Sequence, residues 1–227
     1  MHFHLPKPLH GWREFVGEVG IIVLGVLIAL TAQEVAQELR NRGDATQLRQ
    51  SMTEELANDR TRWEANHHDV PCALSQLDSL ATWAARPGSD KIVNFGGPTM
   101  WTMHDSAWQI ARSSPVMTSL SLKERDLFAS LYFALEFQQR EMEKALDDLG
   151  RVRALAKTAD KSINRNALPA AAAEAQNAIK LFDGNFDYVE NRFDKLHIRG
   201  RPRDELGAEA VNYPNGCPPL APTPSAS

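Results

Sequence analysis

The sequence predicts an all-α protein, in which an N-terminal transmembrane helix continues into an antiparallel helical bundle and ends in a Pro-rich C-terminal coil. An unbroken apolar run occupies residues 20–32, apolar residues recur every three or four positions downstream, and little alternates with the period of two typical of strands. The predicted organisation is a short tail at 1–14, a transmembrane helix at 15–36, a helical extramembrane domain at 37–203 and a Pro-rich tail at 204–227.

The apolar segment has the length of a membrane span, because about 20 helical residues rising about 1.5 Å each match a hydrocarbon core of about 30 Å. One alternative is a cleaved signal peptide, which needs small residues at a cleavage site soon after the run. Leu30 lies at the minus-three position of a cut after Ala32, and only the triplet at 29–31 fits weakly. The other alternative, a buried core helix, is disfavoured because no polar stripe interrupts residues 20–30.

One face of this helix is lined mostly by small residues, with a carboxylate at its end. Helical spacing places the following residues along it: Glu18, Ile22, Gly25, Ala29, Ala32 and Ala36. Such a stripe lets a second membrane helix approach closely, so it predicts a helix–helix interface. The alternative is that Glu18 reaches up to the headgroups and that the small residues are ordinary membrane-helix composition.

The side of the membrane is not decided by charge, since basic residues both precede and follow the apolar segment. The only two cysteines, Cys72 and Cys217, lie far apart, and the second belongs to a Pro-rich coil that a disulfide would pin. A bridge would indicate an oxidising periplasm and would close a loop of roughly 145 residues, worth about 4 to 5 kcal/mol in the chain-entropy model. The alternative is two unrelated reduced thiols in the cytosol.

The first helices of the extramembrane domain follow from apolar spacing and turn signals. Leu48, Met52, Leu56, Asp59 and Trp63 predict a helix that continues from the anchor, with a joint at 41–44, and ends at 67–69. A second helix is predicted to open at Pro71 and to stop at 86–88. Residues 87–105 read as a loop with one short strand-like run at 92–95, and a short helix follows at 106–114.

Two longer helices complete the predicted bundle. Ser121 and Glu124 form a capping-box pattern that opens a long helix, whose apolar stripe runs from Leu127 to Leu155. Pro169 is predicted to open the last helix. Apolar residues of this helix recur every three or four positions and form an apolar seam, as expected for packing against a long antiparallel neighbour. The seam comprises Ile179, Phe182, Phe186, Val189, Phe193 and Leu196.

The segment GEVGIIVLGVLIAL at 17–30, entered through Trp12 and Phe15, resembles the opening of a family of bacterial single-pass membrane proteins. SAWQIARSS at 106–114 and LFASLY at 127–132 resemble that family's Trp-containing and Tyr-containing helices. The resemblance implies a membrane helix followed by a helical domain, and it implies no activity. Pro115 departs from the family pattern, in which Gly follows the Ser pair.

Composition and motifs exclude several function classes. The formal net charge is −4 with interspersed signs, so no nucleic-acid partner is expected. No phosphate loop, zinc-type cysteine spacing or nucleophile elbow occurs, and we expect no cofactor, no metal and no enzyme activity. Four aromatic residues could line a pocket below the loop at 96–97, although aromatic residues at such positions are more often plain core: Trp101, Trp108, Tyr132 and Phe133.

The sequence therefore favours an anchored accessory, scaffold or interaction subunit of a membrane complex. Its expected partners are the lipid bilayer and either a membrane protein or a second copy of the chain. Its expected location is the bacterial inner membrane, with the helical domain in the periplasm. The alternatives are a periplasmic ligand-binding module that acts through a partner, and a self-assembling membrane homo-oligomer.

Overall fold

The chain is helical in a computed structural model, whose described residues are 11–86, 93–95, 97, 100–159, 162–202, 205 and 221–222. The helices are α1 (Trp12–Ala85), α2 (Ser106–Ser113), α3 (Leu122–Lys157), α4 (Ser162–Asp183) and α5 (Phe186–Lys195), with a 3-10 turn at Pro115–Ser119. Two-residue strands β1 (Val93–Asn94) and β2 (Ala221–Pro222) complete the elements. Contacts divide the chain into two compact units, Met1–Gln47 and Leu48–Ser227. The predicted all-α class is confirmed.

The second unit is a bundle in which α4 runs antiparallel to the C-terminal part of α1. Trp63 packs edge-on against Phe182 with ring centroids 5.2 Å apart, and further along α1 the Leu74 carbonyl accepts a hydrogen bond from Gln176. Residue numbers therefore increase along α1 as those of the contacting α4 residues decrease, which shows that the two helices are antiparallel. The largest fully buried side chains come from α1, α3, α4 and α5 and include Trp63, Phe182, Phe193, Met52, Leu77, Leu131 and Leu149.

Helix α3 runs in the same direction as α1. Tyr132 of α3 meets Met52 of α1, and Met142, about three turns further along α3, lies 3.7 Å from the Asn66 side chain of α1. Helix α4 returns antiparallel to α3, and its Glu174 binds Arg151 at 2.8 Å. The chain must consequently travel back over the length of the bundle between the end of α1 and the start of α3.

Helix α1 is continuous where two interruptions were predicted. The helical assignment passes through residues 41–44 and through Pro71 without a break, so the predicted joint and the predicted new helix start were both wrong. A proline inside a helix loses one backbone hydrogen bond and costs about 3 kcal/mol or more. The burial of apolar side chains before and after Pro71 offsets that loss, since Val70, Ala73 and Leu77 are all buried.

The start of α3 carries half of the predicted capping box. Ser121 accepts a hydrogen bond from the Glu124 backbone N–H at 3.2 Å, as predicted. The Glu124 carboxylate pairs with the Arg49 guanidinium, through Nη2 at 2.8 Å and through Nε. The cap residue and the ion pair together fix α3 against α1 at this end of the bundle.

The last predicted helix is two helices, and its start was misplaced. Helix α4 begins at Ser162, so Pro169 lies inside it; the fully buried Leu168 shows that the preceding turn already packs into the core. The chain turns at residues 184–185 before α5 begins. The apolar seam survives the turn, because Ile179 and Phe193 on either side of it are both fully buried.

The C-terminal end of α1 is capped from another helix. The last turn of α1 contains no basic residue, yet Arg165 of α4 donates hydrogen bonds to the carbonyls of Trp83, Ala84 and Arg86 at 2.8 to 3.3 Å. Its guanidinium also lies 4.6 Å from the centroid of the Trp83 ring. A cation at this position satisfies free carbonyls and opposes the negative end of the helix dipole.

The described part of the predicted C-terminal coil includes a short strand pairing. Residues Ala221–Pro222 pair antiparallel with Val93–Asn94, which is the run predicted to be strand-like. A proline is tolerated there because a two-residue ladder leaves an edge position that needs no N–H donor. In the predicted tail at 204–227, the described residues are Glu205 and the strand pair 221–222, and the others lie outside the described residues.

Candidate functional site

The apolar part of α1 is not covered by any of the other described residues. It is long and apolar enough to cross a membrane, and none of its most apolar window is buried. This observation contradicts the core-helix alternative, because a core helix would be mostly buried. All six residues of the predicted stripe, Glu18 to Ala36, are exposed, and a side chain added at Gly25 would meet nothing within 4 Å.

Several polar side chains in and after the apolar segment are hydrogen-bonded within the helix itself. Thr31 donates to the Leu27 carbonyl at 2.6 Å, so its hydroxyl needs no outside partner. From Gln37 to Asp44 most side chains are polar, and Arg42 binds Glu38 at 2.9 Å one turn away. The surface of α1 therefore changes from apolar to polar just beyond Ala36.

The four predicted pocket residues take three different environments. Trp101 is buried and held by Asn66, which donates to its carbonyl at 2.9 Å and accepts from its N–H at 2.7 Å. Trp108 stacks on Tyr132 with centroids 5.1 Å apart. Phe133 is 65% exposed, because adjacent helical residues diverge by about 100°. Tyr132 lines one cavity and Phe133 lines another, so the four do not form one pocket.

Glu55 connects the segments that carry Trp108 and Tyr132. Its carboxylate accepts hydrogen bonds from the Tyr132 hydroxyl at 2.9 Å, the Ser106 hydroxyl at 2.5 Å and the Ala107 backbone N–H at 2.9 Å. It therefore caps α2, whose own N-cap residue Asp105 makes no side-chain capping bond. Burial, with the nearby Glu55 charge, raises the pKa of Tyr132 and keeps its hydroxyl a donor.

Asp59 is a fully buried carboxyl beside this cluster. Its Oδ1 accepts from the His104 backbone N–H at 3.0 Å and from Arg62 at 2.7 Å, while Oδ2 has no hydrogen-bond partner among the described residues. Burial raises the pKa of Asp59 to about 7, against the opposing effects of the His104 N–H and Arg62.

Sequence analysis missed Glu55, Arg62 and Asn66. Asp59 could be recognised from the sequence as a candidate buried carboxyl, because it falls on the apolar stripe that includes Leu56 and Trp63.

A cavity of about 140 Å³ lies next to Tyr132, with Glu136 and Gln139 of α3 on one side and Met103, His104 and Asp105 on the other. Gln139 also accepts from the Met103 N–H at 3.1 Å, which fixes the loop before α2 onto α3. Within the described part of the chain, no group of three or more His, Cys, Asp or Glu side chains is arranged to hold a metal ion.

Cys72 is disulfide-bonded, and none of the described residues is a free cysteine. Its predicted partner, Cys217, lies outside the described residues, so this pairing remains a prediction.

Comparisons of the chain with protein-family models, with curated proteins and with solved structures find no match. The family resemblance of the anchor segment therefore remains an expectation, and the uncovered helix and the bundle carry the functional argument.

Proposed function

We propose that this protein is a single-pass membrane-anchored accessory or interaction subunit, related to the bacterial family that its anchor resembles. The observation that carries the proposal is the uncovered apolar segment of α1. Twelve Leu, Ile, Val and Phe side chains between residues 15 and 35 are exposed. At about −0.3 to −0.6 kcal/mol each, they favour insertion by roughly 4 to 7 kcal/mol. The two carboxylates, Glu18 and Glu34, lie at the ends, where the penalty is smallest.

The stripe supports an interaction role for the anchor. Large apolar side chains of a membrane helix are solvated by lipid about as favourably as by a second helix. Association is therefore favoured by small residues, which let the two helix backbones pack closely. The Gly25 and Ala29 positions offer that close approach, and Glu18 would find a polar partner at the end of the same face. The partner is either a helix of a membrane protein or the same stripe on a second copy.

The disulfide-bonded state of Cys72 supports an oxidising compartment for the helical domain. We therefore propose the bacterial inner membrane with the domain in the periplasm. No catalytic step is proposed, and nucleic acid is not a proposed partner.

The test begins with extraction of the native membrane in mild detergent, purification through a C-terminal tag, and identification of everything that co-purifies. A stoichiometric membrane partner is the expected result. Intact mass should show the anchor retained, whereas cleavage near Ala32 would establish a signal peptide and contradict the proposal. A monomer without any partner would contradict the interaction role.

The stripe is tested by paired substitutions on opposite faces of the anchor. Gly25→Leu is expected to release the partner, because the new side chain keeps the helices apart. Gly20→Leu makes the same change on the far side of the helix, where a side chain also meets nothing within 4 Å. Equal partner recovery from both variants would show that the stripe does not form the interface.

A ligand-binding module is the second candidate, favoured by the cavity of about 140 Å³ beside Tyr132. Its output would pass through the helices of a membrane partner. A ligand that binds the folded state raises the melting temperature. Screening periplasmic metabolites by thermal shift tests it, and an unchanged melting temperature throughout would contradict it.

A further inference from the structure

Helix α3 carries two exposed phenylalanine side chains near its middle. Phe133 is 65% exposed and Phe137, one turn further on, is 39% exposed, whereas the core aromatic residues Trp63 and Phe182 are at most 1% exposed. Tyr188 of α5 lines the same cavity as this pair and is 53% exposed. Neighbouring exposed apolar residues of this kind mark an interaction surface when polar residues surround them.

The phenylalanine pair belongs to a regular face of α3. Alternate steps of three and four residues, beginning with three, lead from Lys123 to Asp147 and pass through Phe133 and Phe137. We call these positions the outer face of α3. Every position on it is exposed except Ser130, which is partly buried. This alternation is the spacing by which one helix packs lengthwise against another, so the outer face of α3 has the register of a helix–helix interface.

The charges on the outer face of α3 are arranged symmetrically around the phenylalanine pair. Each charged residue before the midpoint of the pair, at position 135, is matched by one of opposite sign at the same distance after it. The matched pairs are Asp126 with Lys144 and Lys123 with Asp147. None of these four side chains forms an ion pair with another described residue of its own chain. Their charges are therefore left to a partner.

A second copy of the chain supplies the complementary surface. In an antiparallel pair related by a two-fold axis at position 135, Phe133 of one copy packs against Phe137 of the other, and Asp126 faces Lys144. A parallel pair would instead bring each residue against its own counterpart, so that Asp126 would face Asp126 and Lys144 would face Lys144. Complementary charges favour the antiparallel arrangement, and like charges oppose the parallel one.

We propose that two copies of this protein associate through the outer face of α3, antiparallel to each other and about a two-fold axis between Phe133 and Phe137. The apolar centre is small, so the contact belongs to the weak and reversible class of interfaces. The proposal does not rest on the small-residue stripe of the anchor. Substitution of Gly25 tests the stripe, and substitutions on α3 test this face.

Cysteine cross-linking of the full chain in detergent tests the direction of the pair. Ser130→Cys and Arg140→Cys chains, with tags of different mass, are mixed dilute and then concentrated before oxidation. A mixed dimer is expected, because antiparallel pairing brings position 130 of one copy to position 140 of the other. Each variant alone should stay at the background of the unsubstituted chain, since its two added cysteines would lie about 15 Å apart along the helix.

Two cross-linking results would overturn the proposal. One is a mixed dimer no more abundant than the background. The other is cross-linking of each variant with itself, which would show a parallel pair.

Exchange of charges tests the matched pairs by sedimentation velocity, in a Gly25→Leu background so that the stripe does not hold the copies together. Asp126→Lys and Lys144→Glu each place like charges at two points of the dimer and should weaken it about tenfold or more. The double variant restores opposite charges and should recover the affinity. Asp78→Lys makes the same charge change at an exposed position of α1 and should have no effect. Unweakened single variants, or a double variant as weak as the single ones, would overturn the pairing.

The apolar centre is tested in the same background. Phe133→Ser removes a ring from the centre of the contact in both copies and should weaken the dimer about a hundredfold or more. Ile163→Ser, at a position of α4 that is 75% exposed, is the matched control and should leave the dimer unchanged. Both variants should keep the melting temperature of the parent, because neither side chain is buried. Equal dimerisation of the two variants would overturn the proposal.

Discussion

Asp59→Asn should remove the pH dependence that Asp59 imposes on stability. The pKa of Asp59 rises from an ordinary 3.8 to about 7 in the folded protein because the carboxyl is fully buried. A folded-state pKa above the unfolded value contributes stability that is complete below pH 3.8 and is lost as the pH rises through about 7. The gap between these values corresponds to roughly 4 kcal/mol at full titration. Asparagine keeps the shape and the Oδ1 acceptor but cannot ionise.

Thermal unfolding of the full chain in detergent, followed by circular dichroism between pH 4.5 and 8.5, measures this effect. For a domain of this size, 1 kcal/mol shifts the melting temperature by about 2 to 4 °C. The range from pH 4.5 to about 7 covers roughly 3.4 kcal/mol of this contribution, so the melting temperature of Asp59→Asn should gain about 7 to 14 °C on that of the wild type between pH 4.5 and 8.5. Asp147→Asn, at an exposed position of α3, should follow the wild type at every pH. Parallel curves for Asp59→Asn and the wild type would refute the reasoning.

Three further predictions concern bundle stability, each measured by the melting temperature. Tyr132→Phe removes one donor from Glu55 and should cost about 1 kcal/mol, and a loss of 4 kcal/mol or more would show that the hydroxyl has another role. Arg165→Ala uncaps α1 and should cost about 1 to 3 kcal/mol; an unchanged melting temperature would show that solvent replaces the cap. Leu149→Ala empties a fully buried position and should cost about 2 to 5 kcal/mol, whereas Leu122→Ala, at an exposed position, should cost under 0.5; equal losses would contradict the assigned core.

The sequence predicts well those features that depend on local spacing. The apolar segment of α1, the Ser121 cap and the seam through Ile179 and Phe193 are all read from residues within a few turns of one another, and the structure contains them. The strand-like run near Val93 was also visible, although its partner at Ala221 was not, because pairing over such a separation leaves no local signal.

Features that depend on tertiary partners were misplaced. A proline such as Pro71 normally ends a helix, and the burial of Val70 and Leu77 beside it offsets the cost of keeping α1 continuous there. Tyr132 and Phe133 share a sequence motif but point to different cavities, since helical geometry separates neighbours. Glu55 looks like an ordinary surface acid in sequence, and its role as the cap of α2 exists only once the loop before α2 reaches α1.

The parallel course of α1 and α3 has a consequence for the order of folding. Helices α3 and α4 are neighbours in sequence and can pair soon after they emerge, because closing a short connection is fast. The apolar face of α1 between residues 48 and 85 is synthesised first but must wait for about 100 more residues before α4 is complete. At about 5 to 20 residues per second, that face stays uncovered for roughly 5 to 20 s. The nascent chain therefore exposes an apolar helix face throughout that interval, and transiently exposed apolar surface of this kind favours aggregation.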